Sequence, residues 1–152
     1  MSGPARSAEP DVQEDLLRLE AYRNQLNALL QQHQYLTASH AEHRRARETL
    51  ESLDRTAADR EILIPMGGET FVRGSADGSA AVLIGIGSGI MVEMARPKAS
   101  ELLAERIGTI ERARRDLEGQ LGTLEERIEA LSERIDSLAR KRPDRPDDVG
   151  GH

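Results

Sequence analysis

Residues 107–138 carry apolar side chains at alternating spacings of three and four. With Ile107 as heptad position a, the a positions are Ile107, Arg114, Leu121, Ile128 and Ile135; the d positions are Ile110, Leu117, Leu124, Leu131 and Leu138. Nine of these ten are large aliphatics, and a sustained 3.5-residue period predicts a helix lying along another helix. A second stripe runs through Leu19, Tyr22, Leu26, Leu29, His33, Leu36, His40, His43, Arg47 and Leu50, with Leu16 and Leu53 close beside it. It falls in residues 12–59, which contain no Gly or Pro. At ~1.5 Å per residue that helix would be roughly 70 Å long.

Between the stripes the pattern changes. Ile62-Leu63-Ile64-Pro65-Met66, Thr70-Phe71-Val72-Arg73, Ala81-Val82-Leu83-Ile84 and Ile90-Met91-Val92 are short apolar runs separated by glycine-rich segments. Such runs read as strands joined by tight turns, with Pro65 placing the first at a sheet edge or strand end. Pro97 then suits the first turn of the second helix. Gly108, Gly119 and Gly122 weaken that helix locally but lie off its seam.

The predicted fold is α+β dominated by α: a long antiparallel coiled-coil hairpin interrupted by a central four-stranded block of two β-hairpins. Its divisions are a disordered N-terminus (1–11), a first coiled-coil helix (12–60), the hairpins (61–96), a second coiled-coil helix (97–141) and a disordered tail (142–152). The expected register sets Leu19 against Leu138, Leu26 against Leu131, His33 against Leu124 and Arg44 near Glu111. So small a β-block, apolar on both faces, cannot bury enough area alone. It is therefore expected to build an oligomer.

Composition sharpens this picture. Aromatics make up 2% of the chain and charged residues 32%, which fits solvated helices better than one compact core. The net charge is −6, and residues 97–142 hold ten acidic and ten basic groups. No basic face of the kind nucleic acid needs stands out. There is no cysteine, hence no disulfide or thiolate chemistry. No apolar run approaches the ~20 residues that span a bilayer, and the N-terminus lacks a secretory apolar core. The expected compartment is the cytoplasm, with no membrane partner.

Candidate chemistry is sparse. Gly85-Ile86-Gly87-Ser88-Gly89 lacks the third-glycine spacing and following helix of a dinucleotide fingerprint, and no phosphate-loop lysine follows. It reads as a hairpin turn. His33, His40 and His43 share one helix face, a spacing open to zinc binding or a pH response, but the plainer reading is a weakened, polar stretch of seam. Glu14-Asp15, Glu125-Glu126 and Asp147-Asp148 are adjacent pairs whose members diverge by ~100° on a helix. The first two are expected to be solvated. No catalytic residue, metal site or cofactor is expected.

The segment Glu61-Ile-Leu-Ile-Pro-Met-Gly-Gly-Glu-Thr-Phe-Val-Arg-Gly74 resembles the first β-hairpin of the prefoldin α-type subunits, archaeal-like in pattern. Val82-Leu-Ile-Gly-Ile-Gly-Ser-Gly-Ile-Met-Val-Glu93 resembles the second hairpin of that type, absent from β-type subunits. The resemblance implies an ATP-independent holdase without chemistry of its own. It implies a hexamer of two α and four β subunits, built as a β-barrel body with coiled-coil tentacles. It further implies that non-native polypeptides are held at the tentacle tips and delivered to a group II chaperonin. Client contacts would come from Leu16, Leu17 and Leu19 meeting Leu131, Ile135 and Leu138. The alternative for these six is that they only close the coiled coil. Oligomer contacts would come from Ile62, Leu63, Ile64, Met66, Phe71, Val72, Val82, Leu83, Ile84, Ile86, Ile90, Met91 and Val92. A rival from another class is a structural coiled-coil adaptor with fixed protein partners.

Overall fold

The computed structural model describes residues 8–54, 60–77 and 80–141. The elements are α1 (Ala8–Asp54), β1 (Arg60–Gly67), β2 (Thr70–Ala76), β3 (Val82–Gly87), β4 (Ile90–Met94) and α2 (Arg96–Arg140). Helix α1 starts earlier than the apolar stripe requires, with Pro10 in its first turn, where a missing amide hydrogen costs nothing. Most of the N-terminal stretch and all of the tail expected to be disordered lie outside the described residues.

The chain divides into two compact units, one made of Met1–Gln34 with Arg115–His152 and the other of Tyr35–Arg114. In the first, α1 and α2 run antiparallel. Leu19, Leu117, Leu121, Leu124 and Leu131 are buried, while Val12, Tyr22, Leu26, Leu29, Ile128, Ile135 and Leu138 are half-buried. Every seam position read from α2 is therefore at least partly covered in its own unit. On α1 the exception is Arg47, which is exposed and pairs with Glu51 one turn on, at 3.2 Å.

The register differs from the expected one. In the first unit Arg134 Nε lies 3.1 Å from Asp15 Oδ2, and His33 Nε2 lies 3.0 Å from Glu118 Oε1. Counting from these pairs sets Leu19 level with Leu131 rather than Leu138. In the second unit His40 Nε2 meets Glu111 Oε1 at 3.0 Å, whereas Arg44, expected there, pairs with Glu48. The first shift is one heptad, the error that a 3.5-residue repeat hides; the second, from Arg44 to His40, is four residues in the same direction.

The second unit also contains the strands, which form two separate two-stranded antiparallel sheets, β1–β2 and β3–β4. Their turns are built alike. β1–β2 closes through Gly68 and Glu69 (φ 54° and 59°), and β3–β4 through Ser88 and Gly89 (φ 52° and 74°). Two successive positive φ values are what a two-residue hairpin turn matched to strand twist demands. Each is preceded by a register shift, at Pro65/Gly67 and at Gly85/Gly87. The shifts end on Gly67 and Gly87, themselves at φ 98° and 110°, where an L side chain would be strained.

Hairpin β3–β4 is anchored to the helices. Ile84 is buried in a cluster with Leu50, Ala99 and Leu103, and Val82, Met94 and Leu102 pack against it. Polar ties add to this. The buried Arg96 donates from Nη2 to the Asp77 carbonyl at 2.6 Å and from Nε to the Ala80 carbonyl at 3.2 Å. Arg106 donates to the Gly85 carbonyl.

Candidate functional site: exposed hairpin faces and the terminal end of the helix pair

Period-two alternation gives each hairpin two faces. In β3–β4, Ile84 pairs across with Val92 and Val82 with Met94, forming the face that meets the helices. Leu83, opposite Glu93, and Met91, opposite Gly85, point the other way and are exposed, as are Ile86 and Ile90 beside the turn. In β1–β2, Ile62 is half-buried while Leu63, Ile64, Met66, Phe71 and Val72 are exposed. Arg73 pairs with Glu61 along the same hairpin.

Of the thirteen residues expected to make oligomer contacts, nine are thus exposed large apolar side chains. Ile62, Val82 and Val92 are half-buried. Ile84 is a correction: it belongs to the core that holds its hairpin to the helices and is not presented outward. Apolar groups this concentrated on strands with open edges mark an interaction surface.

The six residues expected to hold clients all lie in the first unit. Leu19 and Leu131 are buried, and Ile135 and Leu138 are half-buried. Leu16 and Leu17, expected to meet the other helix, are instead 49% and 68% exposed. The seam positions at this end belong to Val12 and Asp15, seven residues before Leu19 and Tyr22. Asp15 is therefore a second correction. Expected to be solvated like Glu14, it is 3% exposed. Its Oδ2 is close enough to Arg134 for an ion pair, but the contact is misaligned for a hydrogen bond.

The histidine stretch resolves differently from a metal site. His33 and His40 each donate from Nε2 to a carboxylate of α2, Glu118 and Glu111 respectively, partners that the sequence of α1 alone does not show. His43 donates from Nδ1 to the Ser39 carbonyl at 2.7 Å. Among the described residues, no three His, Cys, Asp or Glu groups are placed to hold a metal ion. No helix among them is long and apolar enough to cross a membrane.

Residues 22–141 match the family model described as Prefoldin subunit. A relative from Methanopyrus kandleri, prefoldin subunit alpha, is 30% identical over 117 residues, covering 74% of each chain. Among solved structures, a filamentous PFD from Methanocaldococcus jannaschii, seen by cryo-electron microscopy, superposes with a TM-score of 0.63 at 25% identity. That alignment covers 76% of this chain and 96% of the other. The prefoldin beta subunit from Thermococcus strain KS-1 gives the same TM-score at 28% identity, over 88% of this chain and 96% of its own.

Proposed function

This chain belongs to the prefoldin family, and we propose that it works as an α-type subunit of an ATP-independent chaperone that holds non-native polypeptides. The observation that carries this reading is the placement of exposed apolar side chains. Of the thirteen large ones exposed among the described residues, nine lie on the two hairpins, and Leu16 and Leu17 lie at the terminal end of the helix pair. The first group suits assembly, and the second suits capture of apolar segments.

In this reading the hairpins join those of β-type subunits into a β-barrel body, two of these chains with four partners, in the cytoplasm. The helix pairs carry the client and hand it to a group II chaperonin. Single weak contacts at ~25 cal/mol per Å2 of apolar area become useful when several helix pairs act on one client.

The test is suppression of aggregation of a chemically denatured model protein. It should be run with the chain alone and with a β-type subunit, each with and without ATP, alongside native mass. Protection that needs the partner and ignores ATP is expected. A fixed-partner adaptor would protect nothing, and removing residues 1–19 and 131–152 should abolish protection while leaving the native assembly intact.

A further inference from the structure

Apart from Met1, the methionines of this chain are Met66, Met91 and Met94, and all three stand on the hairpins, none on α1 or α2. There is no cysteine, so these thioethers are the sulfur that an oxidant meets among the described residues. Two of them point outward. Met66 falls in the register shift of β1 between Pro65 and Gly67 and is 67% exposed, and Met91 is 57% exposed. Met91 pairs across with Gly85, and its Sδ lies over that residue, 3.4 Å from where a Cβ would stand. With no side chain on Gly85, the sulfur stays open on the same outward face as Leu83. Met94 differs, being half-buried and packed against the cluster of Leu50, Ile84, Ala99 and Leu103. The bulge in β1 does not itself call for methionine, since Ile86 fills the matching place in β3. A thioether in place of a similar-sized aliphatic changes packing little, but it adds a group that oxidation turns polar.

We propose that Met66 and Met91 are oxidation sites that gate assembly: a peroxide converts them to sulfoxides in the unassembled chain, and the hairpin faces, now polar, join a partner less tightly. This rests on the reading that the outward hairpin faces make the oligomer contacts. At each site the thioether sulfur takes one oxygen from hydrogen peroxide, the O–O bond breaks, and the other oxygen leaves as water. The sulfur is oxidised and the peroxide reduced by the same electron pair. A sulfoxide oxygen carried into an apolar interface without a donor behaves as a buried unpaired acceptor, which weakens association about five- to hundredfold per site. Assembly covers both sulfurs, so the assembled form resists the oxidant that disables the free chain. A methionine sulfoxide reductase with a dithiol returns the oxygen as water and restores the apolar faces.

The test treats the full chain with hydrogen peroxide, either alone or already assembled with a β-type subunit, and maps oxygen uptake peptide by peptide by mass spectrometry. Met66 and Met91 are expected to oxidise several-fold faster than Met94 in the free chain, and several-fold more slowly once assembled. Equal rates at all three, or no protection by assembly, would overturn the proposal. After the peroxide is removed, the treated chain is mixed with untreated β-type subunit and followed by sedimentation. Assembly is expected to weaken about fivefold or more, and to recover after reductase treatment. Met66→Leu with Met91→Leu is expected to assemble like the unmodified chain and to keep doing so after peroxide. Unweakened assembly of the oxidised chain, or loss of assembly by the oxidised double variant, would overturn the gate. Leu83→Asp, which leaves every methionine in place, is expected to prevent assembly without peroxide. Full assembly by that variant would instead overturn the underlying reading of the outward faces.

Discussion

Leu83 and Ile84 are neighbours in β3 that face opposite ways, and replacing each with alanine separates anchoring from assembly. Ile84 is buried against Leu50, Ala99 and Leu103, whereas Leu83 is 65% exposed. Removing a buried isoleucine side chain beyond Cβ costs about 2–5 kcal/mol in a full core. This cluster has four buried members and can relax at its rim, so the lower figure applies. About 2 kcal/mol is roughly 30-fold in the opening equilibrium that governs amide exchange. Ile84→Ala should therefore speed exchange across the β3–β4 ladder by about that factor in the isolated chain. Leu83→Ala loses little internal burial, and its effect should stay within about threefold. In assembly with a β-type subunit, followed by sedimentation, Leu83→Ala should be the more damaging of the two at concentrations where the hairpin remains formed. Equal loosening by both variants, or less than about threefold from Ile84→Ala, would refute the assignment of the two faces.

Arg96→Ala removes donors to the Asp77 and Ala80 carbonyls and should cost about 1–3 kcal/mol, read as a lower melting temperature and faster exchange over residues 80–96. Gly74→Ala would set a Cβ 2.7 Å from Ile64 Cδ1, forcing that side chain to turn. A cost of about 1 kcal/mol should appear as weaker β1–β2 protection, and Ile64→Val should relieve it. His33→Leu places an aliphatic group in the seam and removes the contact with Glu118, which is already about half exposed. Helix-pair stability should rise by about 1 kcal/mol in a thermal melt, and a fall would show that the His33–Glu118 pair outweighs packing there.

The turns and the seams were legible because their causes are local. Positive φ at Gly68 and Gly89 needs glycine or a tolerant residue, and a row of leucines every three or four positions needs cover. The two faces of β3 were not legible, because Val82-Leu83-Ile84 is apolar on both and only the helices packed against it distinguish them. The burial of Asp15 was legible in principle, since it stands seven residues before Tyr22 on the same stripe. Its adjacency to Glu14 concealed that, because the two side chains diverge by ~100° and need not share an environment.

Register was illegible for a deeper reason. On α2, Glu111, Glu118 and Glu125 recur every seven residues, as do Arg127, Arg134 and Lys141. Sliding the second helix by one heptad would therefore give His33 the carboxylate of Glu125 and His40 that of Glu118, and Arg47 would gain Glu111. Aliphatic layers would re-form as well, Leu26 with Leu131 and Leu29 with Ile128. Neither the seam nor its polar pairs distinguish the two states. What does is aperiodic and lies in the second unit, where Leu50 meets Ala99 and Leu103 under Ile84. After the slip Leu50 would stand near Ile107 and leave Ile84 without that cover. The hairpin, not the coiled coil, therefore sets the register. Because the chain has no cysteine, this can be read directly from introduced pairs: Leu26→Cys should form a disulfide with Leu124→Cys and not with Leu131→Cys. With Ile84→Asp added, which removes the aperiodic contact, the second pair should begin to cross-link. Continued exclusive cross-linking of the first would show that the helices hold their register unaided.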